Sequence, residues 1–246
     1  LSGAALDLCK DIFVFCGGYI GAARLLLIWT GASIATAGVV YGLTKAARNA
    51  LLSELAIRRL PLYRRGGDIA LILDSKIKTA FTHGLLRPRI CISKGLIDSL
   101  DRAELKAVVL HELHHKKRFD PLRFLLYSML TDIFFYIPLL KDLLGSLRIR
   151  KEAAADEAAC RDLSERLTLA AAIVKAASFN TVNAGNLSVG SASIIGVGAA
   201  QARVERLVEA KKIRFKTPDK WRIALSIIGA AFVASAVILP LGPAAA

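Results

Sequence analysis

Several signals that would announce a function are missing from this chain. Its four cysteines, Cys9, Cys16, Cys91 and Cys160, form no C-x-x-C pair and no other metal-type spacing, which excludes a thiolate zinc module and a thioredoxin-like redox site. No internal repeat is present, so the chain does not read as an array. Acids are few, 20 against 34 Lys and Arg, and the net charge is +14. Helix-turn-helix spacing, zinc-finger patterns and aromatic-basic platforms are all absent, so no nucleic-acid partner is expected from that charge. Histidine is rare too: there are four, and three of them fall within residues 111–115.

What the chain has is apolar residue arranged in blocks. It is 54% hydrophobic, with mean hydropathy +0.48, so charged and apolar residues are segregated as in a membrane protein with a polar domain. Residues 22–44, AARLLLIWTGASIATAGVVYGLT, and residues 222–241, which contain IALSIIGAAFVASAVILPL, are each long enough to cross the hydrocarbon layer of about 30 Å. A signal peptide does not suit the first, because a basic tract and a second span follow it. Residues 45–123 carry 17 bases against 8 acids, and residues 141–222 carry 15 against 9. The positive-inside tendency therefore puts both on the cytoplasmic side of a cell inner or plasma membrane. The expected order is a non-cytoplasmic segment at 1–21, a span at 22–44, a cytoplasmic domain at 45–221, a span at 222–241 and a tail at 242–246. The chain begins at Leu1 rather than methionine, so earlier segments can be missing. Cys91 and Cys160 read as small buried hydrophobes in a reducing compartment. Cys9 and Cys16 fall on the other side of the first span, where a disulfide is possible.

Within the central domain, Lys45 to Arg65 reads as a basic amphipathic stretch ending at a glycine turn. Residues 69–93, with IALILD, KTAFT and PRICIS, read as a small sheet. Asp101, three residues before Glu104, has capping-box spacing and opens a helix. Asp120–Pro121 stops that helix near Phe119 and starts the next, 122–144. A helical stretch from Leu147 to Ala177 contains KEAAADEAAC, and residues 178–200 are small and polar, as in a loop.

The helix after Asp101 carries HELHH at residues 111–115. His111 and His115 are four apart, offset by only about 40° on a helix, so both imidazoles share a face. Glu112 beside them can reach a water on a metal held there without ligating, as a general base should. His114 points away. A catalytic zinc wants three protein ligands and an open position. The candidates for the third are Glu152, Asp156 and Glu157; Glu152 and Asp156 share a helix face, so one can ligate while the other accepts a hydrogen bond from a ligand histidine. Lys151, Glu157, Arg161 and Asp162 read as a solvated, ion-paired face.

HELHH with Asp120 five residues beyond His115, EAAAD downstream, and FTHGLLRPRICISKGLIDSLDRAELKAVVL upstream together resemble the BlaR/MecR-type membrane metallopeptidases, metallopeptidase family 56, over roughly residues 20–240. The resemblance implies a mainly α membrane protein in which a gluzincin-like metallopeptidase domain with a small β-sheet has transmembrane helices on either side. It implies one Zn²⁺ per chain on His111, His115 and Glu152, with Glu112 as catalytic base and Asp156 and Asp120 behind the ligands. It also implies a layout related to the Ste24/HtpX-like peptidases. The antibiotic sensors of the family carry a penicillin-binding domain after the last span; the present sequence ends at Ala246, so β-lactam sensing is not carried over.

The zinc imposes a topological condition. If residues 122–144 crossed the bilayer once, Glu152 would lie about 30 Å from the histidines. Asp132 and Lys141 are costly in hydrocarbon and Pro138 breaks a helix, so this segment is expected to be interfacial or re-entrant. An edge strand around residues 78–92 would take an extended protein or peptide substrate by strand addition, with Phe81, Thr82 and His83 as candidate substrate-binding residues. The expected function is peptide hydrolysis at the cytoplasmic membrane face, in a regulatory or self-processing role with the loop 178–200 in reach. The alternatives are a Ste24/HtpX-like quality-control protease and a non-proteolytic signalling scaffold.

Overall fold

The computed structural model describes residues 3–59, 62–63, 70–180, 197–209 and 217–238. In chain order the elements are α1 (Gly3–Arg59), β1 (Leu62–Tyr63), β2 (Ala70–Leu73), β3 (Ala80–His83), β4 (Arg89–Ser93), α2 (Lys94–Ile97), α3 (Arg102–Lys117), α4 (Asp120–Ile133), α5 (Leu139–Ala159), α6 (Leu163–Asn180), α7 (Val197–Glu209) and α8 (Lys220–Ile238). The fold is thus mostly helical with a small mixed sheet. Two compact units divide it: Leu1–Leu43 with Leu130–Lys141 and Pro218–Ala246, and Thr44–Met129 with Asp142–Thr217.

In the first unit, helices approach closely at glycine. A Cβ on Gly31 of α1 would lie 2.1 Å from Ala236 Cβ of α8, and one on Gly38 would lie 2.2 Å from the Ile133 carbonyl oxygen at the end of α4. Large apolar side chains face outward: Leu26, Trp29 and Val40 on α1, Trp221, Ile227 and Ile228 on α8. Among the described residues one stretch is long and apolar enough to cross a membrane, Gly21–Arg58. The helix that contains it runs unbroken past residue 44 to Arg59. The second expected span is helical through Ile238, and residues 239–241 lie outside the description.

The expected helix at 122–144 is interrupted at Phe134–Pro138. Pro138 has no N–H to donate, and the next donor, Leu139 N, bonds to Ser226 Oγ at 3.0 Å instead of to its own helix. The helical stretch expected from Leu147 to Ala177 is likewise two helices, α5 and α6. They part at Cys160–Asp162, where Asp162 Oδ1 accepts from Glu165 N at 2.8 Å and caps α6.

In the second unit the sheet has strand order β1-β2-β4-β3. β2 is parallel to β4, while β1 with β2 and β3 with β4 are antiparallel. β3 is therefore an edge. Ile90 and Ile92 of β4 pack with Leu96, Leu105, Val108 and Leu113, seating α3 on the sheet. A second cluster, Ala107, Ala159, Leu169, Ile173, Ala200 and Leu207, ties α3 to α5, α6 and α7. Cys91 and Cys160 are buried free thiols; the side chains of Cys9 and Cys16 lie outside the description.

Candidate metal centre

Helix α3 is fixed at its start by a reciprocal capping box: Asp101 accepts from Glu104 N at 2.8 Å, and Glu104 accepts from Asp101 N at 2.9 Å. Glu104 also meets Lys175 Nζ of α6 at 2.6 Å. The face turned inward holds Ala107, His111, Glu112 and His115, all buried. Four-residue spacing thus brings both imidazoles to one place, as the 3.6-residue period demands.

Glu152 of α5 joins them, and one donor atom from each of His111, His115 and Glu152 lies within 4.8 Å of the others. His111 Nε2 and His115 Nε2 are 3.2 Å apart; Glu152 oxygens lie 3.5 Å from the first and 3.6 Å from the second. Ligands around a tetrahedral ion with bonds of about 2.0–2.2 Å sit about 3.3–3.6 Å from one another, so these spacings fit a metal of zinc's size. Charge fits as well. Among the described residues Glu112, Glu152, Asp120 and Asp156 converge and are met by two cations, Lys151 and Arg203; with both imidazoles neutral, as ligation requires, the formal excess of negative charge equals one divalent ion.

A carboxylate backs each histidine. Asp120 Oδ2 accepts from His115 Nδ1 at 2.8 Å and Asp156 Oδ1 meets His111 Nδ1 at 3.0 Å, leaving both Nε2 atoms aimed at the cluster. Asp120 is held in turn by Lys151 Nζ at 2.7 Å. Lys151 is therefore not part of the solvated face expected of it; at 16% exposure it is an internal partner. That contact also joins the start of α4 to α5, so the chain doubles back between residues 120 and 151. Asp156 is held by Arg203 of α7 at 2.5 and 3.1 Å, and Arg203 Nη1 reaches Glu152 Oε2 at 3.1 Å.

These contacts govern the titrations. Burial opposes charge on His111, but Asp156 and Glu152 beside it prevail and raise its pKa to about 9. Burial pushes the carboxyls of Glu152 and Asp156 upward, yet hydrogen bonds from His111 and the Arg203 charge bring both below the usual range. Asp120 is also lowered, burial being outweighed by His115 and Lys151.

Of the three strand residues expected near substrate, Thr82 meets the cluster: its hydroxyl donates to Glu112 Oε2 at 2.8 Å, with the Glu112 carbonyl oxygen at 3.0 Å. His83 does not point there. It contacts Glu54 at 3.3 Å and Ser53 at 3.4 Å, both on α1, since alternate strand residues face opposite sides. Phe81 shares His83's parity and pairs with Cys91 in the sheet.

Sequence reasoning missed Arg203. Its signal was a charge inside an apolar stripe, since Ala200, Arg203 and Leu207 are all buried along one face of α7. Phe119 is also unforeseen as a strained hinge. At φ 53 it is the one non-glycine residue with positive φ among those described, and it turns the chain so that Asp120 meets His115.

The profile of the family described as BlaR1 peptidase M56 matches residues 21–193. Regulatory protein BlaR1 of Bacillus licheniformis is 33% identical over 93 residues, covering 38% of this chain and 15% of that protein. A protease HtpX homolog of Methanothermobacter thermautotrophicus is 32% identical over 94 residues, 36% of this chain and 34% of that protein. These matches thus span 15% and 34% of the length of those relatives. Among solved structures, S. mikatae Ste24p aligns over 84% of this chain and 65% of its own, with 14% identity and TM-score 0.45.

Proposed function

The chain belongs to the BlaR1 peptidase M56 family, and from that premise we propose that it is an integral-membrane, zinc-dependent endopeptidase working at the cytoplasmic membrane face. The observation that carries the reading is the convergence of His111, His115 and Glu152 with Glu112 alongside, each histidine backed by a carboxylate. Zinc bound there would supply a Lewis acid for a peptide carbonyl and for the attacking water. Glu112 takes the proton of that water and passes it to the leaving amine. Thr82 fixes the Glu112 carboxylate while it does so. Asp120 and Asp156 keep the ligand imidazoles oriented, with Lys151 and Arg203 holding those aspartates in place. The outer edge of β3, last in the order of the described sheet and next to Glu112 through Thr82, would offer backbone donors and acceptors to an extended peptide.

Membrane insertion is supported by the apolar stretch within Gly21–Arg58 and by the outward apolar side chains of α8. We assign these helices as two spans, with residues 122–144 re-entrant or interfacial and the basic stretches cytoplasmic. A regulatory role of the BlaR1 kind is favoured by the identity to that protein, with HtpX-like quality control as the alternative. Self-processing within 178–200 is a second reading. Residues 181–196 lie outside the description, but Ala177 and Ala200, which flank them, both line the cavity beside Glu112.

The test is cleavage of casein and of the chain itself by zinc-loaded protein in detergent or vesicles, with and without chelator. Cleavage is expected to need the metal, to vanish in Glu112→Gln with zinc still bound, and to vanish with the metal in His111→Ala. Undiminished turnover by metal-replete Glu112→Gln would reject the mechanism and leave the scaffold reading ahead.

A further inference from the structure

Strand β3 is short and last in the order of the described sheet, paired there with β4, so its exact position depends on what meets its two faces. On one face Thr82 donates to Glu112 Oε2 at 2.8 Å. On the other, His83 reaches the far part of α1, within the same compact unit. Ala46, Ala50, Ser53 and Ile57 recur there at four- and three-residue spacing, and all four are at least partly buried, so this face of α1 is turned inward. His83 Nδ1 lies 3.4 Å from Ser53 Oγ, and His83 Nε2 lies 3.3 Å from Glu54 Oε2. We propose that His83 is a positioning residue: by tying β3 to Ser53 and Glu54 of α1, it keeps Thr82 where it can hold the Glu112 carboxylate for proton transfer. The catalytic consequence rests on the peptidase reading; the tether itself does not.

An imidazole suits a tether with two attachment points. With its proton on Nε2 it donates to Glu54 and accepts the Ser53 hydroxyl proton at Nδ1, so both ring nitrogens are satisfied without a charge on the ring. Glu54 is steadied in turn by Arg58 Nε, 3.3 Å from its other oxygen. Burial separates this contact from an ordinary surface pair: Glu54 is half exposed, but the His83 side chain is 13% exposed, so the ring is enclosed between strand and helix. Thr82 and His83 share a planar peptide unit and point to opposite faces. A displaced His83 therefore carries Thr82 with it. A shift of about 1 Å in a group that positions the chemistry can cost a hundredfold in rate, and Glu112 must stay within hydrogen-bond reach of the proton it takes.

The experiment uses the zinc-loaded full chain with casein as substrate, and the same proteins in chelator. His83→Ala and Glu54→Ala should each lower the initial cleavage rate about fivefold or more with zinc content unchanged. Glu54→Gln, which keeps an oxygen to accept from Nε2, should stay within about twofold of the parent. In a Thr82→Val background His83→Ala should cost nothing further, because the tether acts through Thr82; a side chain that only supported the fold would lower the rate by the same factor in both backgrounds. Hydrogen exchange gives a readout free of turnover. In chelator, peptides covering Ala80–His83 should take up deuterium about tenfold faster in His83→Ala and in Glu54→Ala than in the parent, with α3 unchanged. Equal rate losses in the two Thr82 backgrounds, or unchanged exchange in β3, overturns the positioning role and leaves the peptidase reading standing. Failure of the parent to cleave casein overturns the peptidase reading and with it the catalytic role of the tether, while exchange in β3 decides whether His83 holds the strand.

Discussion

The two histidines of the metal cluster are held by arms of opposite origin. His115 is held by Asp120, five residues away, and then by Lys151. His111 is held by Asp156 and then by Arg203, 92 residues downstream. The first arm is assembled largely by one turn of chain, whereas the second needs α3, α5 and α7 packed together. A ligand supported by a near neighbour in sequence is held at low entropic cost; one supported from a distance requires the helices between to be packed.

Breaking the arms should therefore give unequal results. Arg203→Met removes the cation shared by buried Asp156 and partly buried Glu152 and should destabilise the metal-free protein by about 3–5 kcal/mol, the usual result of orphaning a buried charge. Lys151→Met leaves Asp120 its bond to His115 and should cost about 1–2 kcal/mol. Denaturation midpoints in chelator, with metal affinity measured alongside, would check the order; equal losses would remove the distinction between the arms.

The distant arm also makes metal binding pH-dependent. His111 has its pKa raised to about 9, and a metal needs the imidazole unprotonated. Apparent zinc affinity should thus rise up to about tenfold per unit between pH 7 and 9 and then level off. The sign for the metal-free fold is the reverse. A raised pKa stabilises it fully below the ordinary value near 6.5 and withdraws that contribution as pH climbs through about 9. Melting temperatures with zinc and with chelator should diverge over this range. Parallel curves would show that His111 does not exchange a proton for the ion.

The smallest effect concerns the turn that builds the local arm. Phe119 sits at φ 53 with 44% of its surface exposed, so little packing offsets its left-handed backbone. Phe119→Gly should stabilise by about 1 kcal/mol, read from denaturant midpoints in chelator; a loss of stability would show that the phenyl ring outweighs the backbone strain.

The local arm was legible because its parts lie within a few helical turns. Spacing set His111 and His115 on one face with Glu112 beside them, and Asp120–Pro121 marked the stop. Glu152 needed the resemblance to relatives, because i, i+4 spacing alone could not separate it from Asp156. Arg203 was illegible for a physical reason: whether a charge in an amphipathic helix is solvated or buried depends on which face meets the domain, and α7 is separated from α6 by residues whose sequence says nothing of that angle. The sheet was anticipated, but its order with β4 between β2 and β3 was not, as pairing partners of short strands follow from tertiary packing. Lys151 misled for the same reason as Arg203.

Strand β3 stores one bit of information for this centre. Its alternation sends Thr82 toward Glu112 and gives Phe81 and His83 to the other side. An inserted or deleted residue within Ala80–His83 would exchange that hydroxyl for a phenyl or an imidazole without altering the sheet's outline. The turn that follows, with Gly84 at φ +100, can take a change of length that the parity of the strand before it cannot, so an insertion tolerated in this region should fall in the turn.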